Sequence, residues 1–327
     1  MAAPLIVVPD DFPSVFEKSA AHERALKLGE VRVHTARGAD EEAELIRRIG
    51  LASIAINIRA HARFTDTVMA ACRNLKLISI WGTGTDNVEL EAAGRRGITV
   101  TNTPGVNAFA VAEHTLALML AVARKIPRID HEMRGGAWPR EMLTQLLGKT
   151  LGVVGTGRIG ARVVELARAF GMDVLAWSAR GDAPAIAALG ARAVSKDELC
   201  RAADVVSLHL RLGPDTRGFL GRREFALMKP TAFLVNTGRG ALVEREALLD
   251  ALTRGRIAGA GLDVFHEEPL KADDPLLRLP NVVLSPHNAG QTPEVLRDGL
   301  LRAVENVAGF LRGEPTDVVV APLKRGR

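Results

Sequence analysis

Apolar runs of four or five residues recur along this chain, separated by longer amphipathic stretches, and the two kinds alternate as far as the last helical segment. Leu5–Val8, Ile54–Ile58 and Leu77–Ile80 read as strands, continuous in hydrophobicity as strands buried on both faces are. Glu41–Ile49 and Thr67–Cys72 lie between them with helical spacing, and predict helices covering the faces of a parallel sheet. A second series of strands follows at Val205–Leu208, Ala232–Val235, Ala260–Val264 and Val282–Leu284, then one more helix over Pro293–Leu311 and a short tail. The alternation predicts an α/β protein. No solenoid-period repeat or low-complexity linker interrupts it, and Gly135–Trp138, with Pro139 behind it, predicts a loop between helices.

Between the two series lies VVGTGRIGARVVELARAFGMDVLAWSAR at 153–180. Leu151, Val153 and Val154 make a strand, and Ile159, Val163, Val164 and Leu166 recur at helical spacing after it. The turn that joins them holds Gly155, Gly157 and Gly160 in a G-x-G-x-x-G pattern. The first glycine allows a tight turn, the second lets backbone approach a pyrophosphate, and the third lets helix pack on strand. The N-terminus of that helix supplies unpaired N–H groups and partial positive charge, so the stretch predicts a dinucleotide site.

A length of 327 residues suggests about two domains, and 47% hydrophobic residues support a folded chain. The net charge of +5 comes without any run of five basic residues, and reads as scattered surface arginine rather than as a nucleic-acid surface. Cys72 and Cys200 are too few and too far apart for a disulfide framework or a zinc knuckle, which fits a reducing cytoplasm. The opening MAAPLIVVPDD lacks a basic n-region and predicts a first strand rather than a signal peptide. Leu116–Val122 is apolar but lies in a span too short for a bilayer.

Three downstream residues add chemistry. Arg239 follows an apolar strand in VNTGRG, where the carboxyl ends of parallel strands line a ligand crevice; it is either a surface arginine or a bidentate grip for a carboxylate. Glu268 in DVFHEEP and His287 in LSPHNAG each follow a strand-like run. A histidine steadied by a carboxylate is a proton shuttle near neutral pH, whereas a lone histidine beside proline is a loop residue with a structural hydrogen bond. His266, Glu267 and Glu268 fit no H-E-x-x-H pattern, so no metal is expected.

Arg239, Glu268 and His287 behind such a glycine turn resemble the D-isomer-specific 2-hydroxyacid dehydrogenases, the family of D-3-phosphoglycerate dehydrogenase and glyoxylate/hydroxypyruvate reductase. The resemblance runs through WGTGTDNV at 81–88, TNTPGVNAFAVAEHTLALMLA at 101–121, ALMKPTAFLVNTGRGALV at 226–243, GAGLDVFHEEPL at 259–270 and SPHNAG at 285–290. It implies two doubly wound parallel-sheet lobes: a flavodoxin-like substrate lobe of residues 1–101 and 288–327, and a Rossmann cofactor lobe of 102–287, with the active cleft between them. It also implies a homodimer through the cofactor lobes, using the 108–123 helix and the arm after it, and no serine-feedback regulatory domain.

By the same resemblance His287 donates the proton, Glu268 orients it and favours its protonated form, and Arg239 holds the substrate carboxylate and polarises the carbonyl. Backbone N–H groups of Gly82, Thr83 and Gly84 would complete the carboxylate site, although these glycines would also serve a simple turn. Asp263 matches a residue that contacts the nicotinamide amide, or else caps a loop. Arg158, Ile159, His209, Arg211 and Thr237 join the glycines in the cofactor set. Arg211 stands where a proline is commoner and Asn288 where an apolar residue is. Arg59 matches a substrate-side arginine of the phosphoglycerate enzymes, but His61 replaces a second one.

The implied function is a cytoplasmic NAD(P)-dependent reductase of glyoxylate, hydroxypyruvate or a relative, with no nucleic-acid or membrane partner. The alternatives are a D-3-phosphoglycerate dehydrogenase without a regulatory domain and a dinucleotide-sensing interaction protein like the C-terminal-binding corepressors. Ser178 replaces the acid that accepts the ribose 2′-OH in NAD enzymes, and Arg180 follows two residues later, which favours NADP. With Ser178 on the ribose and Arg180 in solvent, NAD is the other choice.

Overall fold

Runs rich in valine, isoleucine and leucine form the strands. The computed structural model describes residues 3–58 and 62–322; Arg59 and His61, singled out above, lie outside the described residues. The strands are β1 (Leu5–Val8), β2 (Glu30–Val33), β3 (Ile54–Asn57), β4 (Leu77–Ile80), β5 (Thr99–Thr101), β6 (Thr150–Val154), β7 (Asp173–Trp177), β8 (Arg192–Ala193), β9 (Val205–Leu208), β10 (Phe233–Asn236), β11 (Gly259–Leu262), β12 (Val282–Leu284) and β13 (Val318–Val320). β3, β4, β6 and β9 to β11 are buried almost throughout, as central strands covered on both faces must be.

The chain divides into two compact units, residues 1–107 with 291–327 and residues 108–290. In the first, the sheet order is β13-β5-β4-β3-β1-β2. The five strands from β5 to β2 are mutually parallel, whereas β13 runs antiparallel to β5. The two parallel-sheet lobes stand as expected, and this edge strand corrects only the expectation of a short tail. Its three valines were too few to show a period, and its pairing is fixed from elsewhere. Asn306, fully buried in the Pro293–Leu311 helix, donates to Asn102 O at 2.8 Å and accepts from Thr316 Oγ1 at 2.9 Å, tying the segment before β13 to the end of β5. That helix begins where Thr292 caps the Val295 N–H and proline takes the first turn.

The second unit has the order β12-β11-β10-β9-β6-β7-β8, all parallel. One apolar cluster lies under the Ala108–Ala123 and Arg158–Ala169 helices, and another, built around Phe225, Leu248 and Leu262, lies on the opposite face. The order reverses between β6 and β9, the point at which an open α/β sheet leaves a ligand crevice. Cys72 and Cys200 are buried and free, and burial pushes the Cys200 thiol up to about 11. Among the described residues no helix is long and apolar enough to cross a membrane.

Candidate active site

Register places five of the cofactor-side residues along one edge of the second sheet. Val154 pairs with Trp177 and Leu208, Leu208 with Asn236, and Asn236 with Leu262. The residues one step beyond those strand ends are Gly155, Ser178, His209, Thr237 and Asp263. Five of the positions named from sequence therefore share the carboxyl edge of the sheet.

The glycine turn fits a dinucleotide at the level of single atoms. Gly155 has φ +96°, and a Cβ there would stand 2.8 Å from His209 O; a Cβ on Gly160 would overlap Gly155 O at 1.9 Å. Both positions therefore exclude a side chain for reasons internal to the fold. Gly157 differs, because a Cβ there would meet nothing within 4 Å. It caps the twelve-residue Arg158–Ala169 helix without a side-chain hydrogen bond, leaving open backbone at the helix N-terminus with Arg158 and Ile159 on its first turn. This is the space and polarity that a pyrophosphate takes.

Along the same edge, Ser178 Oγ accepts the Arg180 N–H at 3.3 Å. The Arg180 side chain is exposed and makes no ion pair among the described residues. Arg211 is also exposed, its carbonyl bound by Thr216 Oγ1 at 2.7 Å. Thr237 Oγ1 lies 2.9 Å from Thr115 Oγ1, and Thr115 donates its own hydroxyl proton to Val111 O. Each hydroxyl has one proton, so Thr237 is the donor to Thr115 and keeps only acceptor capacity for a ligand.

His209 shares a proton with Ser207 Oγ at 2.8 Å, and burial lowers its pKa from the ordinary 6.5 to about 4. Between those values the unfolded chain takes up a proton that the folded chain refuses, so stability present above pH 6.5 is lost as pH falls toward 4. The cost at pH 5 is roughly 2 kcal/mol. We expect the melting temperature of the cofactor-free protein to drop more between pH 7 and pH 5 than that of His209→Gln, which cannot titrate. Parallel curves would show that His209 does not carry this pH dependence.

Arg239, Glu268 and His287 all belong to the second unit. Arg239 sits in the turn after β10 and donates from Nη1 to Gly238 O at 2.8 Å. Sequence reading missed the residue that shapes this turn. Asn236, almost fully buried, donates to Arg239 O at 2.9 Å and accepts from Gly238 N at 3.0 Å. It appears in sequence only as the last polar letter of an apolar strand.

Glu268 and His287 meet. His287 Nδ1 lies 2.7 Å from Glu268 Oε2, and Glu268 Oε1 accepts the Phe265 N–H at 2.9 Å. Burial pushes the Glu268 carboxyl up, but the bonds from His287 and Phe265 and the charge of Arg239 outweigh it, and its pKa falls below the ordinary 4.5. An ionised carboxylate only accepts, so Nδ1 is the donor and Nε2 is left for other chemistry. His287 itself has φ +56°, and its backbone N–H donates to Asp263 O at 2.8 Å. The fully buried Asp263 carboxylate accepts the N–H groups of Asn288 at 2.8 Å and Ala289 at 3.0 Å, which fixes the turn after the histidine.

In the first unit, Gly82 has φ +126° and its N–H donates to Thr103 Oγ1 at 2.8 Å. The adjacent strand end thus takes this amide, which the resemblance assigns to a substrate carboxylate. Thr83 contributes its carbonyl to Asn102 Nδ2 at 2.9 Å. Among the described residues no group of three or more His, Cys, Asp or Glu side chains is arranged to hold a metal.

Sequence and fold are shared with known proteins. Residues 116–289 match the family profile of the D-isomer specific 2-hydroxyacid dehydrogenase, NAD binding domain. The chain is 44% identical over 261 residues to a glyoxylate reductase of Aeropyrum pernix, covering 77% of this chain and 78% of that protein. It is 41% identical over 306 residues to a D-3-phosphoglycerate dehydrogenase of Methanocaldococcus jannaschii, covering 91% of this chain but only 57% of that longer protein. A glyoxylate reductase structure from Paecilomyes thermophila superposes with a TM-score of 0.88 at 31% identity, covering 98% of this chain and 99% of its own. With a matching NAD-binding half, 44% identity to a relative of similar length and full-length structural likeness, the chain belongs to the D-isomer specific 2-hydroxyacid dehydrogenase family.

Proposed function

We propose that the protein reduces a small 2-keto acid of the glyoxylate or hydroxypyruvate class to the D-2-hydroxy acid, with NADPH preferred over NADH. The observation that carries the reading is the 2.7 Å pair between His287 Nδ1 and Glu268 Oε2, with Arg239 near enough to act on the same carboxylate. A bound reduced nicotinamide supplies the hydride. Arg239 binds the keto-acid carboxylate and stabilises the charge that grows on the carbonyl oxygen. His287, held by Glu268, gives that oxygen its proton, so the keto acid gains a hydride and a proton and leaves as the hydroxy acid. The test is a panel of 2-keto acids, each with NADH and NADPH, followed by absorbance loss. Oxidation of 3-phosphoglycerate outrunning every keto-acid reduction would favour the second reading, a phosphoglycerate dehydrogenase, which the 41% identity to the Methanocaldococcus jannaschii enzyme supports. Absence of any turnover would favour a dinucleotide-sensing interaction protein. A homodimer through the second unit completes the proposal. It is supported by the exposed apolar side chains of Phe109, Ile126, Trp138, Met142 and Leu147 on the 108–123 helix and the segment after it.

The cofactor preference rests on charge at the end of β7. An acid there would repel a ribose 2′-phosphate, and Ser178 does not. Arg180, exposed beside it, offers a guanidinium to a phosphate. We expect kcat/KM with NADPH to exceed that with NADH by about tenfold or more, a gap of about 1.4 kcal/mol. Arg180→Ala should narrow the gap and Ser178→Asp should reverse it. Equal or better efficiency with NADH in the unaltered protein would refute the preference and leave the hydride-transfer reading standing.

A further inference from the structure

The Ala108–Ala123 helix packs on β10 and β11, and the small residues of β11 set how close it comes. A Cβ on Gly261 would stand 3.0 Å from Leu118 Cβ and 3.3 Å from Leu118 O. This close packing brings two successive helix residues to two adjacent strand ends. Thr115 meets Thr237 after β10, and His114 meets Asp263 after β11.

His114 Nε2 lies 3.5 Å from Asp263 Oδ1, and this nitrogen is buried with no hydrogen-bond partner. Buried polar atoms are rarely left in that condition, because their desolvation goes uncompensated. Beside a carboxylate, a bare ring nitrogen is repelled and a protonated one is attracted, so the neighbour selects the N–H form at Nε2. The carboxylate is equally dependent. It has no exposed surface, and among the described residues it is met by the Asn288 and Ala289 N–H groups and by His114. Those two amides belong to the turn that begins at His287, whose own N–H donates to Asp263 O.

We propose that His114 is a positioning residue: it presents an N–H to the buried Asp263 carboxylate and thereby holds the turn that aims His287. The effect on turnover rests on the proton-donor role given to His287 above; the effect on the turn does not. His114 acts through Asp263 and touches no reacting atom. A packing residue at this position would be served as well by any side chain that fills the space, whereas a donor is served only by a side chain with an N–H at similar reach.

The experiment compares His114→Ala with His114→Gln, since glutamine carries an N–H at about the reach of Nε2. Amide hydrogen exchange at Asn288 and Ala289 is measured in the cofactor-free protein, and kcat and KM with the keto acid and cofactor that the unaltered protein turns over best. In His114→Ala the two amides should exchange about tenfold faster and kcat should fall about tenfold, while KM changes less than about threefold. His114→Gln should restore exchange and kcat to within about threefold of the unaltered protein. Unchanged exchange in His114→Ala, or equal defects in the two variants, would overturn the proposal. If the unaltered protein reduces no 2-keto acid, the functional reading fails, and the exchange rates alone still decide the role of His114.

Discussion

Replacing His287 should lower turnover by orders of magnitude while leaving dinucleotide binding nearly unchanged. General acid catalysis contributes about 10²- to 10⁴-fold, so kcat is expected to fall about a thousandfold, or about 4 kcal/mol of barrier. The choice of variant matters because His287 has φ +56°, in the left-handed region. Alanine there adds roughly 1–2 kcal/mol of backbone strain, whereas asparagine tolerates the conformation. His287→Asn therefore removes the ring without deforming the turn that Asp263 holds through Asn288 and Ala289. Both variants should keep the cofactor dissociation constant within about threefold, measured by nucleotide fluorescence titration, because neither touches the glycine turn or the helix start at Gly157. Near-normal kcat in His287→Asn would remove the proton-donor assignment. A large loss in alanine alone would assign the defect to the backbone.

Local pattern made the strands legible: β1, β4, β9 and β12 form over the runs that continuous hydrophobicity indicates, and the last long helix spans Pro293–Leu311. The glycine turn was legible because Gly155 and Gly160 answer to steric demands within a few residues or at the neighbouring strand end, while Gly157 leaves the helix start open. What escaped depends on partners distant in sequence. β13 is a strand only because β5 offers an open edge, and Asn306 and Asn102, 204 residues apart, fasten the two regions. Asn236 and His114 lie inside quoted stretches, but nothing in the letters around them shows what they touch. One becomes visible as a buried brace under the Arg239 turn, the other when a helix residue reaches a carboxylate about 150 residues later along the chain. The amide of Gly82 is legible in part: sequence marks a glycine turn, and the structure adds that Thr103 accepts its N–H.

The second large effect is expected at Arg239. In the proposed reaction its guanidinium acts twice, on the substrate carboxylate before reaction and on the carbonyl oxygen as charge develops. Its removal should therefore raise KM and lower kcat together. A lost charge-assisted bidentate contact and a lost oxyanion donor are each worth about 2–4 kcal/mol, and the same side chain makes both, so the terms overlap. The expected loss in kcat/KM for Arg239→Ala is about 10⁴-fold, or about 5 kcal/mol. Arg239→Lys separates charge from shape. Lysine keeps the positive charge but has no planar fork, so it should recover about tenfold to a hundredfold of the loss, with KM still raised. The turn itself should survive both changes, since Asn236 binds the backbone of residues 238 and 239 rather than the guanidinium. A melting temperature close to that of the unaltered protein would check this. A variant that binds keto acid normally and loses only kcat would place the carboxylate elsewhere, and one that keeps both parameters would take Arg239 out of the reaction.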